Sequence, residues 1–159
     1  MTKDRKNYND GLDNAPKVRT VKTKLFKIIT LFIIGGLVYI LMEIMWRGFS
    51  HWTMFILGGI CFLIIGAINE YTGKDTPLLP QMLLGAVVIT SLEFITGCIV
   101  NLHLGWNVWD YSDKCGNILG QICPAASILW FFISLIAITL DDYLRFLLWN
   151  EDKPKYTIL

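Results

Sequence analysis

Four long apolar runs dominate this 159-residue chain and limit what it can fold into. Leu25 to Trp46, Trp52 to Asn69, Leu79 to Val100 and Gly120 to Leu140 each approach the roughly 20 residues that cross a hydrocarbon core. Backbone groups in lipid must satisfy one another, so runs of this purity are expected to be helices. A buried helix of a soluble domain is the alternative for any single run, but four in succession with so few charges argue against it. Composition agrees: 54% of residues are hydrophobic, 17% are charged and mean hydropathy is +0.51, outside the balance of a soluble domain. One membrane domain accounts for nearly the whole length.

The net charge of +1 hides an uneven distribution. Eight of the 14 Lys and Arg residues precede Ile28, and Arg145, Lys153 and Lys155 follow the last run. The first and third connections carry only Arg47 and Lys114. The positive-inside rule therefore places the N-terminus in the cytoplasm, and an even number of spans returns the C-terminus there. The middle connection offers only Lys74, so that part of the topology rests on counting spans.

Residues 1–24 mix Lys and Arg with Asn, Asp, Gly and Pro and are expected to form a disordered cytoplasmic tail. Within it Lys17, Arg19, Lys22 and Lys24, with Lys27 just beyond, suit anionic lipid heads. A long polar lead, a full-length apolar run and no small-residue cleavage site exclude a cleavable signal peptide. Trp46, Trp52, Trp106 and Trp109 mark one membrane boundary, and Tyr71, Tyr143 and Trp149 the other. Asn69 and Glu70 read as a solvated helix end. The segment from Asp141 to Asn150 separates Asp141, Asp142 and Arg145 from Leu144, Leu147 and Leu148. It predicts a C-terminal interfacial helix, with 151–159 a cytoplasmic tail.

Two stretches repeat. Gly35, Val38 and Met42-Glu43-Ile44 recur fifty positions later as Gly85, Val88 and Leu92-Glu93-Phe94. ILGGIC (Ile56 to Cys61) recurs as ILGQIC (Ile118 to Cys123) at an offset of sixty-two. Two helical hairpins related by a parallel repeat are the natural reading.

The repeat sets Glu43 and Glu93 at equivalent depths. A carboxylate within a span costs roughly 2.5 kcal/mol or more at the centre, so it faces the bundle or water. Glu43 has Arg47 one turn later as an ion-pair partner. Glu93 has none in its own helix but shares a stripe with Ala86, Thr90, Gly97 and Asn101, small or polar residues that allow close contact and a lined cleft. Two readings stand: a site for a proton, cation or cationic group, or a polar clasp between the hairpins. Gln121 replaces Gly59 in the duplicate and would reach Glu43 or Glu93. Gly58, Gly59 and Gly66 suit tight packing.

The connection from Asn101 to Asn117 is too rich in rings and polar groups for a plain linker. Gly105 and Gly116 mark turns. It reads either as a cap over the glutamates, with Trp106, Asn107, Trp109, Asp110 and Tyr111 as its inward residues and Asp110 meeting Arg47, or as an aromatic belt at the headgroup level. Cys61, Cys98, Cys115 and Cys123 form no C-x-x-C pair and have no His at zinc spacing; Cys61 and Cys123 read as packing residues inside spans and Cys98 and Cys115 as free thiols or, alternatively, a pair, with no metal and no cofactor expected. His103 and Asp110 lack a nucleophile beside them, which argues against an enzyme. Gly73-Lys74 is not a Walker A loop, there is no glycosylation sequon, and no feature suggests nucleic acid.

The combination GGICFLIIGAINEY, LEFITGCIVNLHLGWNVWDYS, GNILGQIC and LDDYLRFLLW resembles the bacterial membrane proteins labelled putative ABC-transporter type IV. The likeness runs from about Leu31 to Lys155, and NVWDYS is its most specific piece. Glu43, Glu93, Trp106, Asn107, Trp109, Asp110, Tyr111 and Gln121 match the pattern, without a catalytic role attached. Lys114-Cys115 and Pro124 depart from it. The resemblance implies a small permease-type protein whose ATPase, if any, is a separate subunit.

The expected structure is an all-α membrane protein: four transmembrane helices over residues 25–150 as two parallel-repeat hairpins, with a structured outer loop and the interfacial helix. Its expected place is the bacterial plasma membrane, multi-pass, with the lipid bilayer as its medium. Four helices enclose little, so a homodimer is expected. The leading function is a transporter or permease-type subunit with its site among Glu43, Arg47, Glu93, Gln121 and Asn101. The alternative is a non-transporting membrane module that binds a lipid or a partner protein.

Overall fold

A computed structural model describes residues 17–72, 76–152 and 155–158. The side chains of Lys17, Arg19, Lys22, Asn69, Glu70 and Tyr71, and Lys74 and Lys153 altogether, lie outside the described residues, as does the tail before Lys17. The described residues are helical and connecting segments, with no strand among them. Helix α1 spans Lys17–Arg47, α2 Trp52–Thr72, α3 Leu78–Gly97 and α4 Pro124–Trp149, and α3 continues into a π-helical turn, Cys98–His103. Three helical stretches are long and apolar enough to cross a membrane: Thr23–Arg47, Leu78–His103 and Pro124–Trp149. The apolar part of α2, Trp52–Ile68, is shorter.

The chain divides into two compact units at Thr30. In the first, residues 17–30 are helical, so helix begins well inside the segment expected to be disordered. Thr30 Oγ1 donates to the Phe26 carbonyl at 2.9 Å, and Leu25, Phe26, Ile28 and Ile29 are exposed. The second unit, Leu31–Leu159, holds the bundle.

Within the bundle, glycines decide where helices meet. A methyl at Gly35 or Gly58 would overlap Phe62 or Tyr39 respectively, and one at Gly36 or Gly59 would lie 2.6 or 2.7 Å from Phe55 or Phe32. Each helix thus offers two glycines to two rings of the other, and only hydrogen at those Cα atoms admits the rings. Such small-residue contacts bring helices close where the hydrophobic effect does not drive association. Farther along α2, Gly66 receives the Asp141 carboxylate of α4, and Gly85 of α3 receives Ser134 of α4.

That seat for Asp141 corrects the reading of the C-terminal segment. No separate interfacial helix forms: α4 runs unbroken to Trp149 and ends at Asn150 in the left-handed conformation (φ 55°), whose N–H returns to Phe146 O. Asp141 is 0% exposed and accepts from Arg145 Nε, one turn on. The i,i+4 pair is therefore real but faces the bundle rather than a surface. A charge pair of this kind is held inside because each member stabilises the other. The chain then folds back: Thr157 O accepts from Leu78 N at 2.8 Å and Tyr156 donates to Asp142 at 3.0 Å.

Helix α4 also starts later than the apolar run suggested. Pro124 occupies its first turn, where a missing N–H is harmless. ILGQIC is not helical but a tight turn closed by pairing between Ile118 and Ile122, whereas ILGGIC lies inside α2. The sequence match at an offset of sixty-two is therefore not a structural duplication. Gln121 in place of Gly59, followed by Pro124, turns the same apolar letters into a loop.

The glycine–ring contacts generate a test. Gly58→Leu should lower the thermal stability of the purified protein in detergent by about 1–3 kcal/mol through overpacking, while Ile60→Leu, at an exposed position of the same helix, should leave the melting curve in place.

Candidate functional site

Glu93 is 2% exposed, and its partners come from elsewhere in the chain. Trp130 Nε1 of α4 donates to its Oε2 at 2.7 Å, and the Tyr111 hydroxyl, from the loop, donates to its Oε1 at 3.1 Å. Trp130 in turn stacks on Tyr39 of α1, ring centres 6.0 Å apart and 27° from parallel. One carboxylate thereby gathers three helices and the loop.

Glu43 sits on α1 with a different set of donors. Arg47 Nη2 reaches Oε1 at 2.6 Å, and Ser50 Oγ reaches Oε2 at 2.5 Å. Arg47 also donates Nη1 to the Val108 carbonyl at 2.8 Å and lies 4.7 Å from the centre of the Phe49 ring. Its Nε is buried without a hydrogen-bond partner. The expected Glu43–Arg47 pair is present.

What positions the loop is Asn101. The π-helical turn widens the end of α3 and carries Asn101, which is buried. π-turns of this kind often re-aim a side chain at functional sites. Its Oδ1 accepts from Val108 N at 2.7 Å, and its Nδ2 donates to Trp109 O at 3.0 Å and to Gln121 Oε1 at 2.8 Å. Trp109 Nε1 donates to Gln121 O at 3.0 Å, and Gln121 Nε2 to Leu119 O at 2.9 Å. Gly97 makes room for this cluster, since a methyl there would lie 2.5 Å from Gln121 Oε1. Backbone pairing of Tyr111 N with Gly120 O at 2.7 Å closes the loop.

Glu43, Arg47 and Glu93 line one cavity of about 810 Å³, together with Tyr39, Trp130 and loop residues that include Asn107, Trp109, Asp110 and Tyr111. Asn101 and Gln121 do not line it. They lock the loop to itself and to α3, and Gln121 reaches neither glutamate. Thr90, from the stripe beside Glu93, bonds Ser127 of α4 at 3.1 Å instead.

The loop touches the bundle at some of the residues expected to face it and not at others. Val108 and Trp109 are buried and Tyr111 reaches Glu93, but Asp110 does not meet Arg47. Its Oδ1 accepts from Ser112 N at 2.8 Å and from Ser112 Oγ at 2.5 Å, a turn within the loop that holds the Asp110 carboxyl below its ordinary value. Arg47 takes the Val108 carbonyl in its place. Trp106 belongs to another cluster, with ring centres 5.5 Å from His51 and 5.8 Å from Trp52. Asn107 adopts φ 49°, a left-handed conformation that asparagine tolerates. Burial, and then the neighbouring Glu93 carboxylate, push the Tyr111 hydroxyl well above its usual value, which keeps it a donor. The four cysteines are free thiols.

Sequence reasoning missed Tyr39, Ser50 and Trp130. Trp130 had a signal: an indole well inside a span, away from the boundary, requires an acceptor for its N–H.

A family model described as putative ABC-transporter type IV matches residues 17–148. No curated protein and no solved structure matches.

The Asn101 lock is testable by Asn101→Leu, which leaves Val108 N and Trp109 O without their partner. The expected cost is about 3 kcal/mol, and hydrogen exchange should show lost protection at the Val108 amide while the α2 amides stay protected.

Proposed function

The chain belongs to the putative ABC-transporter type IV family, and from that premise we propose that it is a multi-pass, permease-type subunit of a bacterial cell membrane. Its solute site is the cavity shared by Glu43 and Glu93, and the solute is a proton, a cation or a cationic group. The single observation that carries this reading is the placement of two carboxylates from different helices on the wall of one cavity of about 810 Å³. Ionisable groups inside membrane helices commonly mark ion and substrate paths. Tyr111 serves as the latch, because it is the one Glu93 donor carried by the loop. A cation that displaces its hydroxyl removes that contact, while Arg47 and Asn101 still hold the loop at Val108 and Trp109.

In this reading all four apolar helices cross the bilayer. The apolar part of α2, Trp52–Ile68, extends about 25 Å at 1.5 Å per residue, at the lower end of the range of about 17–25 residues for a span. Both termini lie in the cytoplasm, as the excess of Lys and Arg before Ile28 and after α4 requires. The groove between α3 and α4, lined by Ala86, Thr90, Ser127 and apolar neighbours, is the face for a second copy. Energy comes from a separate ATPase subunit, since the chain carries no nucleotide-binding loop.

One observation favours a non-transporting module that binds a lipid or a partner protein. Every oxygen of Glu43 and Glu93 already has a donor from the protein, as a permanent clasp requires. Glu93→Gln separates the two readings. For a permease, the variant folds and loses proton- or cation-dependent flux in liposomes. For a clasp, flux is unchanged while stability falls by about 1–3 kcal/mol, the cost of weakening buried hydrogen bonds to a carboxylate.

A further inference from the structure

The cavity has a shape and a chemistry more specific than a path for small ions. Along one side it is walled by α1 and along the other by α4, and its rim on α1 is formed by Met45 and Trp46. These two side chains are 86% and 85% exposed. Leu129 of α4, opposite, is also exposed. The mouth between them is therefore framed by apolar side chains that face out of the bundle, toward acyl chains in a bilayer.

Inside, apolar and aromatic groups share the lining with Glu43, Arg47, Glu93, Asp110, Asp113 and Lys114, four acids against two bases. Arg47 is already paired with Glu43 and Lys114 with Asp113. Glu93 remains as the buried acid with no basic partner in hydrogen-bond contact, and Tyr39, Trp109, Tyr111 and Trp130 line the same space. Carboxylate plus aromatic rings is the surrounding that recognises organic cations, through charge and the ring quadrupoles. Calcium and magnesium ions take six or more oxygens, and among the described residues no three His, Cys, Asp or Glu side chains come together to hold a metal ion. The volume falls within the range of about 300–1,000 Å³ usual for drug-sized ligands.

We propose that the occupant of this cavity is an amphipathic organic cation that enters from the bilayer between α1 and α4, with its positive centre at Glu93 and its apolar body against Tyr39, Leu129 and Trp130. The proposal rests on the permease reading for its site and adds the class of solute and the route. A cation beside Glu93 favours the ionised carboxylate, and burial of its apolar groups supplies the remaining affinity. An anion of the same shape gains the second term but meets repulsion in place of the first.

The test uses two probes that differ in little but sign, tetraphenylphosphonium and tetraphenylborate, titrated against the purified full chain in detergent, with the saturable component read out. Expected are saturable binding of the phosphonium and none of the borate. Binding should weaken by about tenfold or more, equivalent to 1.4 kcal/mol or more, in both Glu93→Gln and Leu129→Trp. The second change fills the mouth at an exposed position and keeps the test valid if the first disturbs folding. Saturable borate binding of equal strength, absence of phosphonium binding, or phosphonium binding untouched by both substitutions overturns the proposal. Phosphonium binding without flux in liposomes upholds the site and removes the permease. Proton- or metal-cation-dependent flux without phosphonium binding leaves the permease and removes the organic cation.

Discussion

Glu93 is only 2% exposed, and much of the contact between the loop and the bundle follows from the need to supply it with donors. An unsatisfied carboxylate in an apolar interior costs several kcal/mol, so its neighbours must bring N–H or O–H groups within reach. Trp130 does so from α4 and Tyr111 from the loop. Tyr111 arrives only because the loop is folded, and the loop is folded because Asn101 spends its carbonyl and amide on Val108, Trp109 and Gln121. Arg47 closes the circuit from the other side, joining Glu43 to the Val108 carbonyl. A single requirement at one carboxylate thus couples α1, α3, α4 and the loop.

The rest of the bundle is held by shape. Gly35, Gly36, Gly58 and Gly59 interlock with rings of the facing helix, and the Asp141–Arg145 pair sits against Gly66 near the other end of α4. The middle is apolar, with Leu57, Ile65, Ile89 and Ile138 buried. Between a polar cluster at each end, dispersion and close contact provide the cohesion that lipid, being as apolar as leucine, cannot provide by exclusion. The cavity lies where this close packing gives way, between α1 and α4.

The loop combines the two roles that its composition left open. Trp109 and Tyr111 bond to Gln121 and Glu93, while Trp106 joins His51 and Trp52 in an aromatic cluster. Asp110 belongs to neither, since Ser112 satisfies it locally. A short Asx turn costs little chain entropy, so a local hydroxyl competes well with a distant guanidinium.

The helical class, the apolar stretches near residues 25–46, 79–100 and 120–140, and the pairing of Glu43 with Arg47 were all legible from the residues. These features rest on hydropathy and on i,i+4 spacing, both local properties of the chain. The apparent repeat sets Glu43 and Glu93 at equivalent depths, yet the match at ILGQIC proved to be a turn, because Pro124 and the hydrogen bonds of Gln121 override apolar letters. Only the tertiary structure decided that Asp141 and Arg145 are buried, that Asn101 and Gln121 lock the loop rather than line a site, and that Trp130, Tyr39 and Ser50 complete it. Those outcomes depend on contacts that no local period sets, 20 positions apart for Asn101 and Gln121 and 37 for Glu93 and Trp130. Local pattern carries no record of such contacts, since they are chosen by whichever donor the packed helices bring to a buried acceptor.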